Sequence, residues 1–440
     1  METLETPTIE EKLNGMDWRD FAKTYWRKKP VLYRNCFQNF ITKDIMLNVL
    51  KKYGEDYNNN IKREITFYNK DRLAFKGSLT SKRYSNGMED LLPSRSSNSL
   101  DDYLNELQAK NGFDQFCIYI NNAHIHDEII LTVRDVLIKV FEYIPYTASW
   151  INTDFFIGNY SKTTFGAHKD PIDNMMFMLF GKKRMLLWSD SVWKEVLGNP
   201  NDDSFISLDY ERFRGSAIEC NLFPGDFLYW PSEYWHVGEN DGLSASFNID
   251  YQVNYDSVLE DQVTKELFRN VFKRIGKQAF TQHGKVNILS DSTPPFQSRL
   301  PEYYRQVKDS LVKEIAESNL ELEMNALWIK KVTSHGLFSK LANRKDKLDL
   351  VRALKVDMRY PIRYSIVSPN ILIGHSGHVF IISSRHDFFQ NLIDVLNLGE
   401  PFFISDLYTS QAETEIDQCA IRDLVIKLYE IRGIDYCDRA

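Results

Sequence analysis

Between residues 150 and 255 the chain breaks into short runs of β-branched and aromatic residues, DFFIGNY, NMMFMLFGKKRMLLW, SAIECNLFPGDFLYW and LSASFNIDYQV, each closed by turn-forming residues. Short strands at this spacing build a sandwich or a barrel. Gly181-Lys182, set between two apolar runs, reads as a hairpin, and Pro224-Gly225-Asp226 as a tight turn. A small β-barrel is therefore expected here, and the rest of the chain has to be arranged around it.

The barrel stretch also carries the residues with chemistry. His168-Lys169-Asp170 is the only His-x-Asp triplet in the chain. On extended backbone, side chains two apart point to the same face. His236, on a neighbouring strand, can complete a set of three ligands. Two imidazoles and one carboxylate leave three positions open on an octahedral ion, which is the facial arrangement of non-haem iron(II) oxygenases. Such a triplet also arises by chance, as a surface histidine beside a solvated aspartate. Lys183 lies fifteen residues after His168, just past the Gly181-Lys182 turn. A buried ammonium there could pair with the distal carboxylate of 2-oxoglutarate; the alternative is a solvated turn lysine like Lys182 and Arg184. Asn174 can donate or accept in the same mouth, or equally cap a turn.

HKDPIDNMMFMLFGKKRMLLW together with YWPSEYWH resembles the core of JmjC hydroxylases, and FAKTYWRKKPVLYRNCF is similar to the entry segment of the cupin-like ribosomal oxygenases. The resemblance implies an α+β chain built on a double-stranded β-helix, with His168, Asp170 and His236 on iron(II) and Lys183 on 2-oxoglutarate. It also implies a helical dimerisation region followed by a C-terminal winged-helix domain. The corresponding boundaries are 1–255 for the catalytic domain, 256–345 for the helical region and 346–440 for the winged-helix-like domain. Asn248, on the strand after His236, is a candidate cosubstrate contact. The chain departs from the family before His168, where an Asn and a Tyr often touch the cosubstrate and Asp154 and Phe156 stand here. Tyr160, Thr163 and Thr164 are candidates to substitute for them.

Elsewhere, apolar spacing predicts helical character at Trp18–Tyr25, a strand at Val31–Tyr33 and a helix at Ile45–Tyr53. Residues 101–110 and 127–143 read as helices flanking a strand at Phe116–Ile120, whereas SLTSKRYSNG and LLPSRSSNSL read as exposed loops. Apolar stripes at Val258, Leu259, Val263, Leu267, Val271 and Phe272, and at Leu320, Leu322, Ala326, Leu327 and Ile329, need a partner surface. That surface is either the chain's own barrel or a second copy, and the family resemblance favours a homodimer. His124 and His126 begin a helix, where His and Asp serve as caps, and His375 and His378 sit at a hairpin tip expected to face solvent.

Composition narrows the function classes. The net charge of -7 disfavours broad attraction to nucleic acid or anionic membrane. The C-terminal 354–440 segment sharpens this, with eight lysines and arginines against twelve acids, so nucleic-acid binding there is not expected. Five scattered cysteines with no CxxC pair fit free thiols, and no apolar run reaches the length of a membrane span. These features fit a cytoplasmic protein, and the family resemblance implies an oxygenase that hydroxylates a side chain of a protein or peptide, a ribosomal protein being the leading substrate and a ribosomally made peptide the next. An inactive cupin-like interaction module is the reading from another class.

Overall fold

The computed structural model describes residues 8–13, 15–58, 64–69, 72–78, 91–94, 96–110, 115–147, 150–163, 166–192, 210–232, 234–252, 319–337, 339–437 and a few positions between 309 and 316. It divides into two compact units, 1–254 with 334–342, and 255–333 with 343–440.

Among the described residues the first unit holds twelve strands. They are β1 (Glu10–Lys12), β2 (Val31–Tyr33), β3 (Glu64–Asn69), β4 (Arg72–Ser78), β5 (Phe116–Ile120), β6 (Asn152–Gly158), β7 (Ile172–Phe180), β8 (Lys183–Ser189), β9 (Ile218–Leu222), β10 (Phe227–Trp230), β11 (Tyr234–Asn240) and β12 (Ser244–Gln252). Nine form one sheet in the order β1-β2-β10-β7-β12-β6-β5-β3-β4, and β11-β8-β9 form a second. His168 adds a fourth rung to the small sheet through a bridge to His236. Strands 6, 7, 10 and 12 of the large sheet thus oppose 8, 9, 11 and the His168 rung. From β6 on, with the His168 rung counted, successive strands alternate between the two sheets except at β8 and β9, which pair with each other in the small one; this is the winding of a double-stranded β-helix and of the barrel expected from the strand spacing.

That winding corrects one reading. Gly181-Lys182 does not close a hairpin, because β7 pairs with β10 and β12 while β8 pairs with β9 and β11. The turn carries the chain from one sheet to the other. Gly181 makes the crossing in the left-handed region, φ 74°, and a Cβ there would lie 2.2 Å from the Leu243 carbonyl oxygen. The turn signal is the same for both connections, and only the pairing partners distinguish them.

Strand alternation sorts side chains between two compartments. Met175, Phe177, Phe247, Ile249, Phe155 and Ile157 point out of the barrel into the main core. There they meet three helices, α1 (Lys43–Asn58), α2 (Leu100–Ala109) and α3 (Asp127–Phe141), through Leu50, Tyr103, Leu104, Val133 and Leu137. The Ser99 hydroxyl caps α2 by accepting the Asp102 N–H at 3.0 Å. On the inner side Met176, Met178, Leu228 and Trp230 meet Met185, Leu187, Cys220 and Leu222 of the small sheet and plug one end of the barrel. The other inner positions that line the cavity are mostly polar, Phe156 and Ile172 excepted.

The expected elements at Trp18–Tyr25, Val31–Tyr33, 45–53, 101–110, 116–120 and 127–143 are present, the first as a short helix Trp18–Asp20 running into a π-turn Phe21–Tyr25. Residues 64–78, where the sequence predicted no element, form an antiparallel pair, β3 and β4, that extends the large sheet. Leu91 and Leu92, read as loop residues, are buried in the main core; SLTSKRYSNG lies almost wholly outside the described residues. His124 and His126 stand at the start of α3 without capping it. Both are buried, and His124 Nδ1 lies 3.1 Å from the Thr153 hydroxyl.

In the second unit α4 (Leu320–Thr333) packs on an antiparallel sheet of β14 (Arg363–Val367), β15 (Asn370–His375) and β16 (His378–Ile382). A second core joins that sheet to α5 (His386–Leu396), α6 (Ile404–Gln411) and α7 (Glu415–Glu430), with β13 (Leu354–Lys355) and β17 (Asp435–Tyr436) pairing at the edge. Leu322, Ala326 and Ile329 lie against Val367 and Leu372, so this part of the second apolar stripe is covered within its own unit. The stripe from Val258 to Phe272 lies outside the described residues. His375 and His378 flank the β15–β16 turn but do not face solvent. Both are buried, and His375 Nε2 sits 2.9 Å from the Tyr360 carbonyl. Among the described residues no helix is long and apolar enough to cross a membrane.

Candidate functional site

The barrel mouth brings the three proposed ligands together. His168 and His236 face each other across the antiparallel bridge, their backbones joined by hydrogen bonds of 3.1 and 2.8 Å. Asp170 follows two residues on, and its Oδ2 lies 3.5 Å from both His168 Nε2 and His236 Nε2. One ligand atom from each residue falls within 4.8 Å of the others. Lys169 points the other way, to Asp190 at 3.0 Å, as alternation requires.

The imidazoles are oriented for metal binding. His168 Nδ1 lies 3.0 Å from the Gly166 carbonyl and His236 Nδ1 lies 3.3 Å from that of Tyr234. Each carbonyl fixes the proton on Nδ1, which leaves the Nε2 lone pair for a cation. Burial pushes the His236 pKa down to about 3, holding it neutral, the ligating form. Burial acts against the Asp170 charge, but the hydrogen bond from His168 and the charge of that ring outweigh it and keep the carboxyl below its ordinary range. For His168 burial lowers the pKa while Asp170 raises it, and the carboxylate prevails. A divalent ion would instead displace the proton so favoured, since only the neutral imidazole ligates. Donor set, spacing and tautomers all fit a metal.

The triad opens into a cavity of about 330 Å³ that also contains Lys183, Asn174 and Asn248. Lys183 opens β8 with its side chain inward and 3% exposed, while Lys182 and Arg184 are exposed. Its ammonium donates to the Ser246 hydroxyl at 2.9 Å and lies 5.0 Å from the Phe156 ring and 5.6 Å from the Tyr160 ring. Among the described residues no carboxylate is paired with it, and burial pushes its pKa down to about 8. A buried cation held only by a neutral hydroxyl is suited to an incoming anion. Gly238 makes room for it, since a Cβ there would lie 2.9 Å from Lys183 Cε. Thr163 lines the same wall and donates its backbone N–H to the Gly238 carbonyl at 2.7 Å; Thr164 lies outside the described residues.

Asn174, on β7, is buried on the cavity wall and caps no turn. Asn248, on β12, lies between Ser246 and Asp250 on the inward face. Asp154 and Phe156 both line the cavity. Sequence reasoning missed Tyr119, Asn152 and Asp250, which line the cavity, and Ser246, which accepts from Lys183. For Ser246 and Asp250 the signal was the polar series at every second position of β12, which alternation places on one face, while the apolar series takes the other.

A family model described as the cupin-like domain matches residues 19–261. Among curated proteins, the lysine-specific demethylase JMJ31 of Arabidopsis thaliana is 24% identical over 131 residues, which cover 27% of this chain. The match spans 24% of that relative's length. Among solved structures, Escherichia coli YcfD is similar with a TM-score of 0.49 at 13% identity, covering 96% of this chain and 98% of that one. The structure described as the ribosomal oxygenase YcfD in complex with cobalt and 2-oxoglutarate gives a TM-score of 0.47 at 13% identity, covering 96% of this chain and 99% of that one.

Proposed function

This chain belongs to the cupin-like domain family, and on that premise we propose that it is an iron(II)- and 2-oxoglutarate-dependent oxygenase that hydroxylates a side chain of a protein or peptide. The observation that carries the proposal is the occurrence, in one cavity, of an open three-ligand cluster and a buried ammonium with no carboxylate partner among the described residues.

His168, Asp170 and His236 would hold the iron, and the cavity beside them is where its remaining ligands would enter. Lys183, steadied by Ser246, binds the far carboxylate of 2-oxoglutarate. Asn174 and Asn248, on the wall of the same cavity, would contact the cosubstrate. Iron bound here supplies the oxygen-activating chemistry that couples conversion of 2-oxoglutarate and O2 to succinate and CO2 with insertion of an oxygen atom into a C–H bond. The protein's share is positioning and enclosure: Trp230, Met176 and Met185 wall the cavity, restricting water near the reacting C–H bond. A ribosomal protein is the favoured substrate, with the C-terminal unit serving as a winged-helix-like protein contact and two chains pairing as a homodimer.

The test is to incubate iron-loaded protein with 2-oxoglutarate and a cell-matched proteome. Succinate should form, and peptides of one or a few proteins should gain one oxygen atom, neither occurring without 2-oxoglutarate. No such gain, with iron and cosubstrate both bound, would contradict the substrate class.

A further inference from the structure

The three ligands come from two segments that are joined more loosely than the rest of the small sheet. His236 lies on β11, which a seven-residue ladder fixes to β8, from Tyr234 opposite Ser189 to Asn240 opposite Lys183. His168 and Asp170 lie on a rung that meets β11 through one isolated bridge. Pro171 follows at once and has no N–H with which to extend that bridge into a ladder. A metal site tolerates little of the swing such a rung allows, because its ligands must be held to within about 0.5 Å of their working positions.

A tie lies on the opposite face of the sheet. The alternation that turns His168, Asp170 and His236 inward turns Lys169 and Trp235 outward. Trp235 is buried there with Ala167, Leu186, Trp188 and Val237. Asp190, the first residue after β8, reaches both outward side chains through one oxygen. Its Oδ1 accepts from Trp235 Nε1 at 3.1 Å and from Lys169 Nζ at 3.0 Å. The Lys169 ammonium also lies 5.8 Å from the Trp235 ring. The carboxylate therefore spans three strands, from β8 over β11 to the His168 rung. It holds each ligand-bearing segment at a residue covalently next to a ligand: Lys169 stands between His168 and Asp170, and Trp235 precedes His236.

We infer that Asp190 is a positioning residue for the metal, a strap on the back of the sheet that fixes the His168–Asp170 rung against His236. The inference rests on the metal reading of the triad. Asp190 touches neither the ion nor the cosubstrate. It keeps the metal-free protein near the ligand positions of the bound state, so that less order has to be imposed when the ion enters. The Lys169 and Asp190 side chains are each 25% exposed, and a pair so placed adds little to global stability. Its effect falls on the site, which separates it from a purely structural contact.

The experiment is a titration of the full-length metal-free protein with Co(II), followed by calorimetry and by the visible d–d absorption of the bound ion. Urea unfolding of the same metal-free samples runs beside it. Asp190→Ala should bind Co(II) about tenfold more weakly, with an altered d–d spectrum, and should unfold at nearly the wild-type urea concentration. Asp190→Asn keeps an acceptor for both donors and should recover most of the affinity and the wild-type spectrum. Lys169→Met cuts the tie on the rung side alone and should weaken Co(II) binding in the same direction; it serves in place of Asp190→Ala if that variant does not fold. Wild-type affinity and spectrum in the folded variants would overturn the strap. So would an affinity loss that only follows a large loss of stability, the mark of a structural contact. A wild-type protein that took up no Co(II) would overturn the metal reading and the strap with it, an outcome distinct from a wild-type site that binds and a variant that binds equally well.

Discussion

Lys183 and its neighbour Lys182 are the same residue type one position apart, and the structure gives them opposite surroundings. Lys182 is exposed, its ammonium 5.9 Å from the Phe223 ring, whereas Lys183 begins the strand with its side chain inward. Losing a charge-assisted contact of this kind costs on the order of 2–5 kcal/mol. Lys183→Ala should therefore weaken 2-oxoglutarate binding by about thirtyfold or more and leave metal affinity intact, while Lys182→Ala leaves both unchanged; calorimetry on both variants checks this. The pH dependence follows from burial. The folded pKa of about 8 lies below the ordinary 10.5, so between those values the unfolded chain binds more protons and the ligand-free protein gains stability as pH rises. Binding a dicarboxylate needs the charged ammonium, so cosubstrate affinity should run the other way, full below pH 8 and falling by about tenfold per unit above it. The other titratable groups facing the ammonium do not blur the profile: burial pushes the Cys117 thiol up to about 12 and Tyr160 well above its usual value.

At the scale of strands, alternation explains both what the sequence reveals and what it hides. His168, Asp170, His236 and Lys183 are legible because their types and spacing match a known chemistry. Asp250 and Asn152 are not, because a strand that alternates polar with apolar residues ordinarily turns its polar face to water. Here the apolar face of β12 is buried under helices and the polar face lines a cavity. The β3–β4 pair is hidden for a different reason, since EITFYN and RLAFKGS are interrupted by charged and polar residues and flanked by polar stretches. Gly181 shows the same limit in a turn, its signal being silent on whether the chain folds back or crosses between sheets. Gly181→Ala forces a side chain into the left-handed region and against the β11–β12 turn. It should lower stability by about 2–5 kcal/mol, combining backbone strain and overpacking, as read from urea unfolding. A loss under about 1 kcal/mol would show that the crossing is less constrained than the geometry indicates.

For the whole molecule, the proposed homodimer rests on the stripe from Val258 to Phe272 in the sequence, because Leu322, Ala326 and Ile329 are covered by the sheet of their own unit. Light scattering should give twice the 51.6 kDa chain mass, and charged substitutions at Leu267 and Phe272 should give folded monomers. A wild-type monomer would remove the dimer without touching the site, since the triad and Lys183 all come from one chain. The central claim is that this one cavity holds a metal and a 2-oxo acid together. Its most direct test is an anaerobic titration of the protein with iron(II) and then 2-oxoglutarate, following the visible charge-transfer band of a keto acid chelated to iron. The account predicts that the band appears with one cosubstrate per chain, disappears in His168→Ala and His236→Ala, and in Lys183→Ala requires far more 2-oxoglutarate to develop. A wild-type protein that binds iron but never develops the band, or a band that persists undiminished in both histidine variants, would contradict it.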